Sequence, residues 1–213
     1  MVSINKNILY LLEFEFLSKE DYMNKKEIEP TVLFFPNPVV LVTSQGVESK
    51  PNIITIAWTG VVNSRPPMIG ISIQPIRHSH GLIRQSGEFG VNIPNRDLLR
   101  AIDYCGFVSG KNTDKFAATG LTPVLARKIR APLIKECPVN LECVLRHFIT
   151  LGMHDLFIGE IVSIYVDEQV LDDKGKLDSS LLNPVVYFSQ PTDYWSKGER
   201  VGIRGFTKGE YRR

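Results

Sequence analysis

The densest reactive chemistry in the 213-residue chain is the run Arg77-His78-Ser79-His80. It follows the strand-like stretch Met68 to Ile73 and opens a short helix expected over His80 to Ser86. Ser79 is placed to cap that helix and Gly87 to end it. The start of a helix carries unpaired N–H groups and a partial positive charge. Arginine, histidine and a hydroxyl beside it make a cradle for phosphate. A plainer reading stays open, with Arg77 a solvated charge and Ser79 only a cap. Trp58 is the second candidate. It stands between Ala57 and Thr59, small neighbours that leave main-chain N–H groups accessible to a planar heteroaromatic ligand. A core tryptophan with its indole N–H satisfied is the alternative.

Much other chemistry is excluded. The chain has no GxGxxG or GxxxxGK[ST] loop, no HExxH, no Cys/His zinc spacing and no serine hydrolase elbow. His78-x-His80 resembles a metal-ligand pair, but no third ligand lies at short spacing, so no metal is expected. Cys105, Cys137 and Cys143 form no CxxC and cannot all pair within one chain. They read as reduced packing residues of a cytoplasmic protein. An enzyme built on this chain must borrow its reactivity from a cofactor.

The elements that would position these residues are mostly strands. Val39 to Thr43, Ile53 to Val62, Met68 to Ile73, Phe89 to Ile93, Leu141 to Leu151, Phe157 to Val166 and Val185 to Phe188 are rich in β-branched and aromatic residues. Asn95 can cap a second helix, in which Leu98, Leu99, Ile102 and Phe107 fall near helical spacing. A third helix is expected over Asn112 to Ala118. Many short strands and few helices favour a closed or nearly closed barrel over a βαβ sheet.

Charge nearly cancels, with 25 Lys+Arg against 23 Asp+Glu giving +2, so nucleic acid is not an expected partner. The run Ile8 to Leu17 has two glutamates and is too short to span a membrane, and it lacks a signal-peptide cleavage site. Residues 1–22 read as an extension, either an over-extended start or an interface helix, and the domain proper as 23–213.

In order along the chain stand PNPVVLVTS (Pro36 to Ser44), Asn52, Thr55, Ala57, Trp58 and Thr59 in a PN-x-x-T-x-AW-T pattern, and Pro66-Pro67. Then come ISIQPIRHS, EFGVNIP (Glu88 to Pro94), SGKNTDKF (Ser109 to Phe116), GLTP, HDLFIGEI (His154 to Ile161) and YW-x-x-GE from Tyr194. Each piece is weak alone. Their joint order resembles the flavin reductase-like family, which includes the flavoredoxins.

The resemblance implies a mainly β fold, an FMN-binding split β-barrel with a few short helices, forming a homodimer with one FMN per subunit. It implies that the strand bearing Asn52, Thr55, Ala57, Trp58 and Thr59 lines the flavin ring. Arg77, His78, Ser79 and His80 would hold the phosphate, and Lys111 would add a phosphate or ribityl contact. His154, preceded by Gly152-Met153 where the family commonly has Gly-Asp, would approach the reacting face as the one catalytic candidate. The implied activity passes electrons from NAD(P)H through FMN to free flavin, ferric iron or a partner protein. An electron carrier of flavoredoxin type, reduced by a protein donor, is the alternative. A related split barrel binding haem or a deazaflavin is a third reading.

Overall fold

A computed structural model of the chain describes residues 25–202, 204 and 207. The chain divides into Met1–Val32 and Leu33–Arg213. Residues 25–32 of the first unit are exposed and form no regular element. The expected boundary after residue 22 lies outside the described residues.

The second unit begins with β1 (Asn37–Pro38), β2 (Val40–Ser44), β3 (Asn52–Ile56), β4 (Thr59–Ser64) and β5 (Pro67–Ile73). After them come α1 (His78–Ser86) and β6 (Glu88–Ile93). A 3-10 turn at Arg96–Leu98 leads into α2 (Leu99–Phe107), followed by α3 (Lys115–Thr119). The remainder comprises β7 (Pro123–Val124), β8 (Leu133–Ile134), β9 (Val139–Thr150), β10 (Asp155–Val166), α4 (Ser179–Leu182), β11 (Val185–Ser189) and β12 (Thr192–Ser196). Seven strands form an antiparallel sheet in the order β3-β2-β6-β9-β10-β5-β4. β1, β11 and β12 form a smaller sheet beside it.

β3 and β4 lie at opposite ends of that order, yet only Ala57 and Trp58 separate them in the chain. So short a link forces the sheet to curl until its edges meet. Residues 52–64 are in effect one bent strand that bonds β2 with its first half and β5 with its second. Ser72 N–H donates to the Trp58 carbonyl at 2.9 Å across the bend. The result is a barrel with a seam between β3 and β5. The expected strand Ile53 to Val62 is therefore interrupted, and Trp58 sits at the break rather than mid-strand.

Alternation along β2 and β3 explains their nearly unbroken apolar sequence. Val40, Val42, Ile54 and Ile56 face the barrel interior with Phe89 and Phe157, whereas Leu41 and Ile53 pack outward against Ile102, Cys105 and Phe116 of α2 and α3. Both faces of these strands are buried, so both need hydrophobic residues. The interior is tight at Gly159, where a Cβ would lie 2.5 Å from the Phe89 ring.

The helices depart from expectation in instructive ways. α1 starts at His78, and its N-cap position is Arg77, with no side-chain cap. Ser79 is thus inside the helix rather than its cap. Gly87 does close it, in a left-handed conformation. Asn95 accepts from Asp97 N–H as a cap should, but Phe107 ends α2 at 87 % exposure instead of joining the core. α3 begins later than expected because Asp114, accepting from Ala117 N–H at 3.1 Å, is the cap. Among the described residues, no helix is long and apolar enough to cross a membrane.

Candidate cofactor site

At the start of α1, the N–H groups of His78 and Ser79 precede the first helical hydrogen bond, which runs from His80 N–H to the Arg77 carbonyl. They border a cavity of about 340 Å³. Its polar lining includes Arg77, His78, Ser79, Ser109, Lys111 and Lys115, and none of its described lining residues is Asp or Glu. Three basic side chains and a helix start, with no carboxylate to oppose them, suit a compact anion. Burial, reinforced by the fields of Lys111 and Lys115, holds the His78 imidazole below its usual pKa. It is neutral at physiological pH and can both donate and accept.

Ser79 is oriented from β3. Buried Asn52, the first residue of β3, donates from Nδ2 to Ser79 Oγ at 2.8 Å, which leaves the serine O–H free to donate elsewhere. Asn52 is held in turn by Gly110, where a Cβ would fall 2.0 Å from Asn52 Oδ1. Glycine is required there by close approach.

Lys115 is the site residue that sequence reasoning missed. It is 3 % exposed, and its Nζ donates to the Ile53 carbonyl at 2.7 Å and the Cys105 carbonyl at 2.8 Å. Burial lowers its pKa to about 8, and Arg77 acts in the same direction while Cys105 opposes it. A lysine in the first helical turn runs against the helix dipole. That anomaly was the available signal.

The Ile53 contact also reports how β3 is oriented. Along an antiparallel edge, alternate residues turn both peptide groups toward the neighbour or both away. The Ile53 carbonyl meets Lys115 rather than β2, so residues 53 and 55 turn their peptide groups to the free edge. This edge borders a second space of about 180 Å³ in the seam, lined by Thr55, Ala57, Trp58, Ser72 and His154, among others. Ile54, Gln74 and Arg77 line both spaces, which makes them one cleft. His154 reaches it from the tight β9–β10 turn, where Leu151 N–H donates to the His154 carbonyl at 3.1 Å. Its ring lies 4.5 Å from that of Trp58.

The cleft thus brings together Asn52, Thr55, Ala57, Trp58, Arg77, His78, Ser79, Lys111 and His154. It does not include Thr59 or His80. Thr59 donates its hydroxyl to the Gly70 carbonyl at 2.8 Å, inside the β4–β5 pairing. Residues two apart on a helix point roughly 200° from one another, so His78 and His80 cannot share a target. His80 turns instead to buried Asp155, Nε2 to Oδ2 2.7 Å, with its ring edge-on to Phe157.

Residues 32–195 match the family model of the flavin reductase like domain. The chain belongs to the flavin reductase-like family. Flavoredoxin of Desulfovibrio vulgaris (Miyazaki F) is 37 % identical, with a TM-score of 0.81 covering 87 % of this chain and 99 % of that one. Flavoredoxin from Methanosarcina acetivorans is 32 % identical at the same TM-score, covering 88 % and 99 %. An uncharacterised protein of Archaeoglobus fulgidus is 34 % identical over 156 residues, 73 % of this chain and 87 % of its own. The seam and the curled sheet described above are the split barrel of these flavin reductase-like structures.

The three cysteines of this family member are buried and free. Burial pushes the Cys105 thiol up to about 11 and that of Cys143 up to about 12, which keeps both protonated and unreactive. Because His80 answers Asp155 and not the cleft, His80→Ala is expected to cost about 3–5 kcal/mol of stability by stranding a buried carboxylate. Denaturant unfolding measures this. A cost below 1 kcal/mol would show that the pair is not a structural tie.

Proposed function

We propose that the cleft binds FMN and that the protein passes electrons from NAD(P)H through it to free flavin, ferric iron or a partner protein. The observation that carries this reading is the continuity of a carboxylate-free cationic cavity with a narrow slot along an unpaired strand edge. FMN has that shape and chemistry, with a phosphate at one end and a planar heteroaromatic ring at the other. When bound, FMN supplies the hydride and single-electron chemistry that no side chain here can perform.

The side chains then bind and orient. Arg77 and Lys111 offer charge to the phosphate, while His78 and Ser79 offer backbone N–H groups and Ser79 its hydroxyl. Asn52 keeps that hydroxyl aimed. The outward peptide groups of β3 would offer hydrogen bonds to the ring, and small Ala57 would leave them uncovered. Trp58 and His154 close the end of the slot, so His154 is the side chain that a second planar reactant would meet. No acid–base pair is required, because hydride transfer moves no separate proton.

The flavoredoxin likeness supports the second reading, a carrier reduced by a protein donor. Two copies are proposed to associate as a homodimer. The free edge of β4 supports this, since Val61 and Val62 there are exposed and a bare apolar edge invites pairing.

Arg77→Ala combined with Ser79→Ala is expected to weaken FMN binding by about 100-fold, since two charge-assisted contacts are lost. Fluorescence titration checks this, and unchanged affinity would move the phosphate elsewhere. His154→Ala is expected to slow anaerobic bleaching by NADH or NADPH without loosening FMN. Unchanged bleaching would remove His154 from the reacting face.

A further inference from the structure

Asp155 is a carboxylate at a position where the fold calls for an apolar side chain. Along the first half of β10 the buried positions are Asp155, Phe157 and Gly159, while His154 and Leu156 turn the other way. Asp155 Oδ2 takes the 2.7 Å contact with His80 Nε2, and Oδ1 is buried with no hydrogen-bond partner among the described residues. The His80 ring stands edge-on to Phe157 and Phe148, at centroid distances of 5.0 and 5.9 Å. A pair in such apolar surroundings, with one oxygen unanswered, contributes no more stability than two well-packed apolar side chains would. Its placement is what needs a reason.

That placement joins two parts of the cleft. The main chain of Asp155 is paired with Ile73, the last residue of β5, and with Thr150, the last of β9. Its side chain holds His80 in the first turn of α1. One residue therefore fixes both ends of the β5–α1 connection, from which Gln74 and Arg77 line the cleft. On its other side Asp155 is bonded to His154, whose ring lies 4.5 Å from that of Trp58. Residues 151–153 of the turn are exposed, so the buried anchor next to His154 is Asp155. Resting on the reading that FMN occupies the cleft with His154 at its reacting face, we propose that Asp155, anchored by His80, is a positioning residue that sets where His154 stands over the ring slot. The inward turn of Asp155 obliges the outward turn of His154 toward Trp58, because neighbours in an extended chain face opposite ways. Neither Asp155 nor His80 lines the cleft, and both act through His154.

The test is anaerobic bleaching of the FMN-saturated full chain over a range of NADH or NADPH concentrations, carried out on a cycle of variants. His80→Leu combined with Asp155→Leu replaces the pair by apolar side chains and strands no charge, so the fold is expected to hold by circular dichroism. The limiting bleaching rate is expected to fall about tenfold, because a small misplacement at the reacting face is costly. In a His154→Ala background the same replacement is expected to leave the rate unchanged. Asp155→Asn keeps an acceptor for His80 and is expected to recover most of the rate. A full rate in the doubly apolar variant overturns the proposal, as does an equal loss with and without His154, or a loss in Asp155→Asn as large as that in the doubly apolar variant. If the doubly apolar variant fails to fold, Asp155→Glu decides. It keeps a carboxylate for His80 but moves it by one methylene, and a full rate there overturns the proposal. Absence of FMN uptake overturns the cofactor reading itself. Bleaching by neither nucleotide, or a full rate in His154→Ala, removes His154 from the reacting face and the proposal with it. Slow bleaching in His154→Ala beside a full rate in the doubly apolar variant overturns only the role of Asp155.

Discussion

The structure depends on a strand that changes partners. Residues 52–64 bond β2 before the Ala57-Trp58 break and β5 after it. That switch closes the barrel while leaving one side of β3 without a neighbouring strand. An unpaired edge on the outside of a protein invites aggregation. Here the edge is turned into a seam, where Lys115 takes the Ile53 carbonyl and the remaining outward peptide groups border the cleft. The seam that splits the barrel and the slot proposed for the flavin ring are the same feature.

Electrostatics follows the same economy. A net charge of +2 gives the protein no long-range field for polyanions. Its relevant positive charge is local. Arg77, Lys111 and Lys115 surround one cavity with the helix start of α1, and no acidic side chain lines that cavity among the described residues. Burial is the main reason that the protonated forms of Lys115 and His78 are disfavoured, and neighbouring cations add to it, Arg77 for Lys115 and Lys111 and Lys115 for His78.

The elements were largely legible because local rules govern them. Gly87 ends α1, Asn95 caps the turn before α2, and the apolar runs became strands. The β12 strand, Thr192–Ser196, was not anticipated, and its role is to pair with β11 through Tyr194 and Trp195. What failed to show were properties set by distant partners. Ser79 looks like a cap until Asn52, 27 residues earlier, is seen to hold its hydroxyl. His80 looks like a phosphate ligand until the helix turns it toward Asp155, 75 residues later. Lys115 offered only its place in a first helical turn as a signal, because burial of a lysine depends on carbonyls from two other elements. The family pattern pointed to eleven candidate residues, and it could not say which nine of them line the cleft.

The most direct measurement is the visible spectrum of the purified protein before and after anaerobic NADH, with the released chromophore identified. A flavin spectrum, FMN as the released compound and bleaching by NADH are the result predicted by the reductase account. A flavin spectrum that NADH leaves unbleached would select the carrier reading. A colourless protein that takes up no FMN on titration would contradict the central claim.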